Sequence, residues 1–443
     1  MCPNSLTCHI SPLESGSVSY LDYTAQHTES QSIFNQITQI IRQIVHLQCN
    51  HRMLYCMCAG WNTPDFPFRK ILVGKQSNRK DVAESTNKAC LCAHSCAITI
   101  MKRVAILTTD LYQPHCDVND HFNLAFLYAL AQQEKLQLGG IMLDEDKPDP
   151  EITPEICGDP SVESIAQLNY ITAIPVPCAI GSRIPLRCEE DIQAVISSGK
   201  KIPSISLLLG ILESTNLPVD IHMCGGTRDV LLASRIRPDL FTKDRVRVFV
   251  NAGTWKIQTP LEYNVRLEPY TFSQLFQLPC QVLWAPCFDE AVWPFHVTEF
   301  ANYFMMEIGP LFERISDSMK NYFLYMFDRV VNTGWFTYLR GSVNQESLSK
   351  WSQQKRCMWS MPGFLMTADC YVDTNGNVTD NPENSVFDYV PVKVSCSPDG
   401  LVNWKRCAES EETNTKIFHV RNTEKYEEAM CTAAYETISC LEK

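Results

Sequence analysis

The chain has 443 residues, 45% of them hydrophobic and 20% charged, proportions that exclude wholesale disorder. Lys and Arg number 38 against 50 Asp and Glu, a net charge of −12. An acidic body repels phosphate backbones, so nucleic acid is a poor partner and a small neutral ligand or a bound cation a better one. No run approaches the ~20 apolar residues of a membrane-spanning helix, so no membrane association is expected.

Charge and cysteine usage divide the chain near residue 100. Residues 1–100 hold eight Lys and Arg against six acids, so the negative charge lies in 101–443. Cysteines number 21, eight of them in the first hundred residues. The count is odd, the chain is long, and no charged-then-apolar leader opens it. The expectation is free, buried thiols packing as small hydrophobes in a cytoplasmic protein.

Before residue 100 one helical pattern stands out, with Ile33, Phe34, Ile37, Ile40, Ile41, Ile44 and Val45 on one face. Cys49, Cys56, Cys58, Cys90, Cys92 and Cys96, with His51 and His94, raise the option of a zinc-binding interaction module. Their Cys-x-Cys spacings differ from the paired Cys-x2-Cys knuckles of structural zinc. Residues 1–100 therefore read as a poorly ordered, cysteine-rich extension, and 101–443 as one domain.

From Lys102 onward strands alternate with helices, which predicts an α/β fold: a mostly parallel central sheet flanked by helices. Val104–Leu107 is a short buried strand, 120–131 a helix and 138–143 a second strand. Helices are predicted over 161–173 and 203–212, a strand over 219–223, a helix from Arg228 and a strand over 246–250. A helix over 269–276 and a strand over 281–285 follow. The aromatic run 304–336 reads as one or two longer helices. Strands over 390–395 and 416–420 precede a closing helix over 424–441.

In open α/β sheets, ligands bind beyond the carboxyl ends of the strands. The loop after the first strand carries Asp110, Asp117 and Asp120 before a helix. Two readings stand. Clustered carboxylates can hold a hard cation, which lowers the pKa of a bound water. Alternatively Asn119 or Asp120 caps the helix and the other acids are solvated.

This loop resembles the amino-terminal signature of the inosine/uridine-preferring nucleoside hydrolases, Asp-x-Asp-Pro-Gly-x-Asp-Asp-Ala. Thr108 stands where the first Asp is usual, Asp110 matches the second, and Asn119-Asp120 take the place of the Asp-Asp pair after a longer connection, as in a divergent branch. Further segments keep the family's order: 138–141, Ile174-Pro175-Val176-Pro177, the turn 222–229, and Glu262-Tyr263-Asn264-Val265 followed by Glu268-Pro269. The likeness covers most of residues 102–300.

The resemblance implies a calcium ion held by first-loop Asp residues, a backbone carbonyl and a late Asp. Carried over, Asp110 is a metal ligand and the general base for the attacking water, and Asp120 a second ligand. Asn119 sits where a ribose-binding Asp is usual, and Glu262 and Asn264 hold the sugar. The implied function is hydrolysis of the N-glycosidic bond of a ribonucleoside, or of a related glycosidic bond, by metal-activated water, a role in purine or pyrimidine metabolism. The implied partner is a nucleoside or sugar derivative, and a homo-oligomer is compatible. Where the family has a late His-Asp pair, the stretch 356–362 has none, which leaves His115 and His121 as acid candidates. Thr108, Asn119 and the missing pair support the alternative, a catalytically degenerate member that binds or scaffolds.

Overall fold

A computed structural model describes residues 103–115, 118–145, 159–289, 295–408 and 411–441. The predicted extension 1–100, with its helix and its zinc reading, and Asp117 of the first loop lie outside the described residues. In chain order the elements are β1 (Val104–Thr109), β2 (Tyr112–Gln113), α1 (Asn119–Gln132), β3 (Gln137–Leu143), β4 (Asp159–Pro160), α2 (Val162–Thr172), β5 (Cys178–Ile180), α3 (Glu189–Ser197), α4 (Pro203–Ser214) and β6 (Val219–Met223). Then come α5 (Arg228–Ile236), β7 (Val246–Asn251), α6 (Tyr263–Leu267), α7 (Pro269–Leu275) and β8 (Gln281–Ala285). The remainder adds β9 (Phe304–Glu307), α8 (Gly309–Phe312), α9 (Asp317–Phe327), α10 (Trp335–Arg340), α11 (Gln345–Ser352), β10 (Lys355–Met358) and α12 (Met361–Thr367). It closes with β11 (Tyr371–Val372), β12 (Val378–Thr379), β13 (Phe387–Cys396), β14 (Val402–Arg406), β15 (Thr415–Val420) and α13 (Tyr426–Ile438).

Nine strands form one sheet in the order β14-β13-β15-β8-β7-β6-β1-β3-β5. It is parallel from β15 to β5, and β13 runs antiparallel to both β15 and β14. The α/β architecture is the one expected. β1 shows why its sequence does not alternate: all six residues are buried. Ala105 and Leu107 enter the core on one face of the sheet, Val104 and Ile106 the core on the other. A strand covered on both faces is apolar throughout. Helices α1, α9, α12 and α13 supply the first core, and α4, α5 and α7 the second. Chain order reverses about β1, with β6 on one side and β3 on the other, which makes its carboxyl end a topological switch point.

The predicted helical run 304–336 is corrected. Phe304–Glu307 is strand β9, paired antiparallel with β10, and its buried Phe304 and Met306 alternate with more exposed neighbours. Two-residue periodicity and a strand partner outweigh the helical reading there. Ser316 then starts α9, its hydroxyl accepting the Met319 N–H at 3.2 Å. β2, β4, β5, α3, α6, α11, β10, α12, β11, β12 and β14 also lie outside the predicted set; most are short.

Near the amino ends of the strands, Asp220 of β6 is fully buried and fully compensated. Arg103 donates to its Oδ1 at 2.7 Å and Arg247 Nε to the same atom at 2.9 Å. The Thr367 hydroxyl of α12 donates to Oδ2 at 2.7 Å and lies 2.8 Å from His222 Nε2. Burial alone would raise the Asp220 carboxyl, but the Arg247 hydrogen bond and the two guanidinium charges hold it below its usual value. His222, stacked on Phe249, is pushed down to about 3 by burial, against the attraction of Asp220. It is a neutral core histidine, and the cluster fastens α12 to the sheet.

The cysteine expectation holds in part. Cys178, Cys188, Cys224, Cys280, Cys287, Cys396, Cys407, Cys431 and Cys440 are free thiols, but among the described cysteines only Cys224, Cys280, Cys287 and Cys370 are buried and the others are half-buried. No helix among the described residues is long and apolar enough to cross a membrane.

Candidate active site

The carboxyl ends of β1, β6, β7 and β8 surround a cavity of about 200 Å³. Asp110 follows β1. Asn119, Asp120 and Asn123 come from the first turns of α1, Cys224 follows β6 and Asn251 ends β7. Glu262 and Asn264 lie at the start of α6, and Cys287 and Phe288 just past β8. All five residues proposed from the sequence, Asp110, Asn119, Asp120, Glu262 and Asn264, are on this wall. Asp110 and Asn119 are half-buried, whereas Asp120, Glu262 and Asn264 are buried.

Local geometry explains each placement. α1 begins at Asn119, and its capping position is Val118, which makes no side-chain cap. The helix-cap reading of Asn119 and Asp120 is therefore corrected: both are inside the first turn. Asp120 is buried rather than solvated, accepts from Asn123 Nδ2 at 3.4 Å, and sits where the helix dipole favours a carboxylate. Gly225 permits the close turn after β6: a Cβ there would stand 2.1 Å from an Asp144 carboxylate oxygen and 3.0 Å from the Asp110 nitrogen. Asp144, one residue past β3, accepts the Gly226 N–H.

Glu262 does structural work as well as facing the cavity. It caps α6, with Oε1 accepting the Asn264 N–H at 3.0 Å and Oε2 the Val265 N–H at 3.3 Å. Oε2 also accepts the Gly253 N–H at 2.7 Å. Burial raises its carboxyl above the usual value, and these three N–H groups and the Arg266 charge only partly offset that. Asn264 Nδ2 donates to the Asn251 backbone carbonyl at 3.4 Å, which ties the start of α6 to the end of β7.

The rest of the lining is aromatic and thiol-bearing. Phe288 and Phe295 stack with centroids 4.1 Å apart. Trp359 and Ser360 precede α12, and Ser360 Oγ accepts the Cys224 thiol at 3.1 Å. Burial pushes the Cys224 and Cys287 thiols well up, and the carboxylates near each add to the effect. The Trp359 indole N–H and the Asn123 Oδ1, both on lining residues, have no protein partner.

His115 and His121 are corrected as acid candidates, because neither lines the cavity. They pack edge to face 4.3 Å apart beside Tyr325 and Tyr322, and His121 Nε2 is 3.1 Å from Ser164 Oγ. Burial pushes His115 down to about 4. In place of the His-Asp pair that the resemblance calls for, the stretch 356–362 brings an indole and a hydroxyl to the wall.

The donor set does not fit the calcium ion that the resemblance implies. A hard cation takes six to eight oxygens, usually with several carboxylates. Among the described residues no three His, Cys, Asp or Glu side chains assemble as a metal group, and the Ser360 hydroxyl is engaged by Cys224. No step below runs through a metal.

Asn123, Cys224, Asn251, Cys287, Phe288, Phe295, Trp359 and Ser360 were not singled out from the sequence. The signals were present for some of them. Asn123 lies one turn beyond Asn119 and Asp120, on the same helix face, and Cys224, Asn251 and Cys287 lie at or just past strand ends.

No family model and no curated protein matches the chain. Among solved structures it is similar to the inosine-uridine preferring nucleoside hydrolase from Bacillus anthracis, at 12% identity and a TM-score of 0.40, covering 76% of this chain and 100% of that one. It is also similar to the purine-preferring ribonucleoside hydrolase from Gardnerella vaginalis, at 10% identity and a TM-score of 0.43 over 76% and 99% of the two chains. A third is the type III effector protein XopQ, solved with adenosine diphosphate ribose, at 12% identity and a TM-score of 0.42 over 80% and 99%.

Proposed function

We propose that the cavity binds the ribosyl group of a small N-riboside and that its chemistry is hydrolysis of the N-glycosidic bond. The observation that carries this is the convergence of Asp110, Asn119, Asp120, Glu262 and Asn264, from three separate stretches of chain, around one cavity at the switch point of the sheet. Carboxylates and amides suit a sugar, whose hydroxyls both donate and accept. Asp110, half-buried at the end of β1, takes the proton of a water directed at the anomeric carbon. Asp120 and Glu262 place negative charge beside the oxocarbenium-like state that forms there. The aromatic wall covers the base and keeps bulk water away.

A second reading, binding without turnover, is favoured by one observation: Trp359 and Ser360 occupy the stretch where an acid and a further carboxylate would stand. Calorimetry with inosine, uridine and nicotinamide riboside, followed by measurement of reducing-sugar release, separates the two. Binding with release that falls at least ~100-fold in Asp110→Asn is the expected result for hydrolysis. Binding with no release selects the second reading, and no binding by any riboside ends both.

A further inference from the structure

A glycosidic bond to a neutral purine or pyrimidine breaks slowly unless the departing base is protonated, because the base otherwise leaves as an anion. Among the described lining residues the nearest to an acid is Glu262, and both of its carboxyl oxygens accept backbone N–H groups, which favour the ionised form. No lysine, arginine or histidine is among the described residues that line it. The Cys224 thiol is spent on Ser360, and burial keeps both lining thiols neutral and reluctant to release a proton. The Trp359 indole N–H, without a protein partner, can donate a hydrogen bond but not its proton.

What the wall does offer is attraction for a cation. Asp110, Asp120 and Glu262 bring carboxylates, and Phe288 and Trp359 bring aromatic rings, a type that attracts positive charge. Asn123, 3% exposed with its Oδ1 unpartnered, is an acceptor for a sugar hydroxyl, and the Trp359 N–H is a donor for a carbonyl on the base.

We propose that the substrate class is an N-riboside of a cationic, pyridinium-type base that carries a carbonyl acceptor; this rests on the ribosyl reading above. Water oxygen bonds to the anomeric carbon as the bond from that carbon to the ring nitrogen breaks. The bonding electron pair goes to the nitrogen and cancels its positive charge, so the base leaves neutral. The water proton passes to Asp110 and then to solvent. The products are the sugar, the neutral base and one proton.

The test measures kcat/KM of the full chain for nicotinamide riboside, inosine and uridine by release of base. A general acid is worth 10²–10⁴-fold, so nicotinamide riboside is expected to exceed the other two by at least ~100-fold. Its pH profile should rise to a plateau with no alkaline fall, since a fall would mean that cleavage needs a protonated group. Trp359→Phe, which keeps a ring and removes the N–H, should raise KM about tenfold with kcat unchanged.

Equal or faster cleavage of inosine or uridine, an alkaline fall, a kcat loss in Trp359→Phe, or binding of nicotinamide riboside without cleavage overturns the inference and leaves the ribosyl reading standing. If none of the three ribosides binds, the ribosyl reading fails and this inference fails with it.

Discussion

Two groups of buried carboxylates sit at opposite ends of the same strands, and the protein treats them differently. Near the amino ends, Asp220 is enclosed by Arg103, Arg247 and Thr367 and is neutralised where it stands. At the carboxyl ends, Asp110, Asp120 and Glu262 face a cavity lined, among the described residues, by amides, thiols and aromatic rings and by no cationic side chain. Charge compensated on every side is architecture. Carboxylates that line an open volume can also act on what enters it, and a buried one whose carboxyl is shifted, as in Glu262, marks a candidate functional site.

The largest effect should come from breaking the compensated end. Asp220→Ala leaves two guanidinium groups without their buried partner, and urea unfolding should show a loss of about 3–5 kcal/mol. A loss under about 1 kcal/mol would mean that the cluster is not the anchor described.

Acid should act strongly on the buried histidines. His115 and His222 are held down to about 4 and about 3, so the unfolded chain binds protons that the folded chain refuses. Their contribution to stability is complete above the unfolded value near 6.5 and is lost as pH falls toward the folded values. Melting temperature should drop between pH 6.5 and 4, less steeply in His115→Phe. An unchanged slope would contradict the burial assigned to that ring.

At the open end, effects on stability should be smaller. Glu262 has a raised carboxyl, so its contribution to stability declines as pH rises through the ordinary glutamate range, the opposite sense to Asp220. Glu262→Gln keeps one acceptor for the α6 cap but turns an NH2 group toward a buried N–H donor, and should cost about 1–3 kcal/mol while weakening ribosyl binding. The smallest effect concerns calcium: millimolar calcium should move the melting temperature by less than ~1 °C, because a cation that is not held cannot stabilise by mass action. A clear upward shift that Asp110→Ala removes would restore the metal reading.

Much of the sheet was legible because parallel strands buried on both faces leave an unmistakable apolar run, as in Val104–Leu107 and 246–250. Phe304–Glu307 was misread because four alternating residues in an aromatic-rich stretch resemble helix until their partner, Lys355–Met358, is known from the fold. The polar wall was legible through short local spacings, Asn119-Asp120 and Glu262-x-Asn264. The aromatic part of the lining was not, since Trp359 comes to the cavity from far along the chain, and isolated aromatics such as Phe288 and Phe295 look like core in sequence. His115 and His121 show the converse: proximity in sequence to the loop did not place them on the cavity.

The most direct test is a calorimetric titration of the full chain with nicotinamide riboside, set beside Asp120→Asn and Asn264→Ala. One saturable site on the parent, weakened at least tenfold by each change from its own stretch of chain, is the predicted result. Heat that is absent in the parent, or identical across all three proteins, would contradict the shared ribosyl wall.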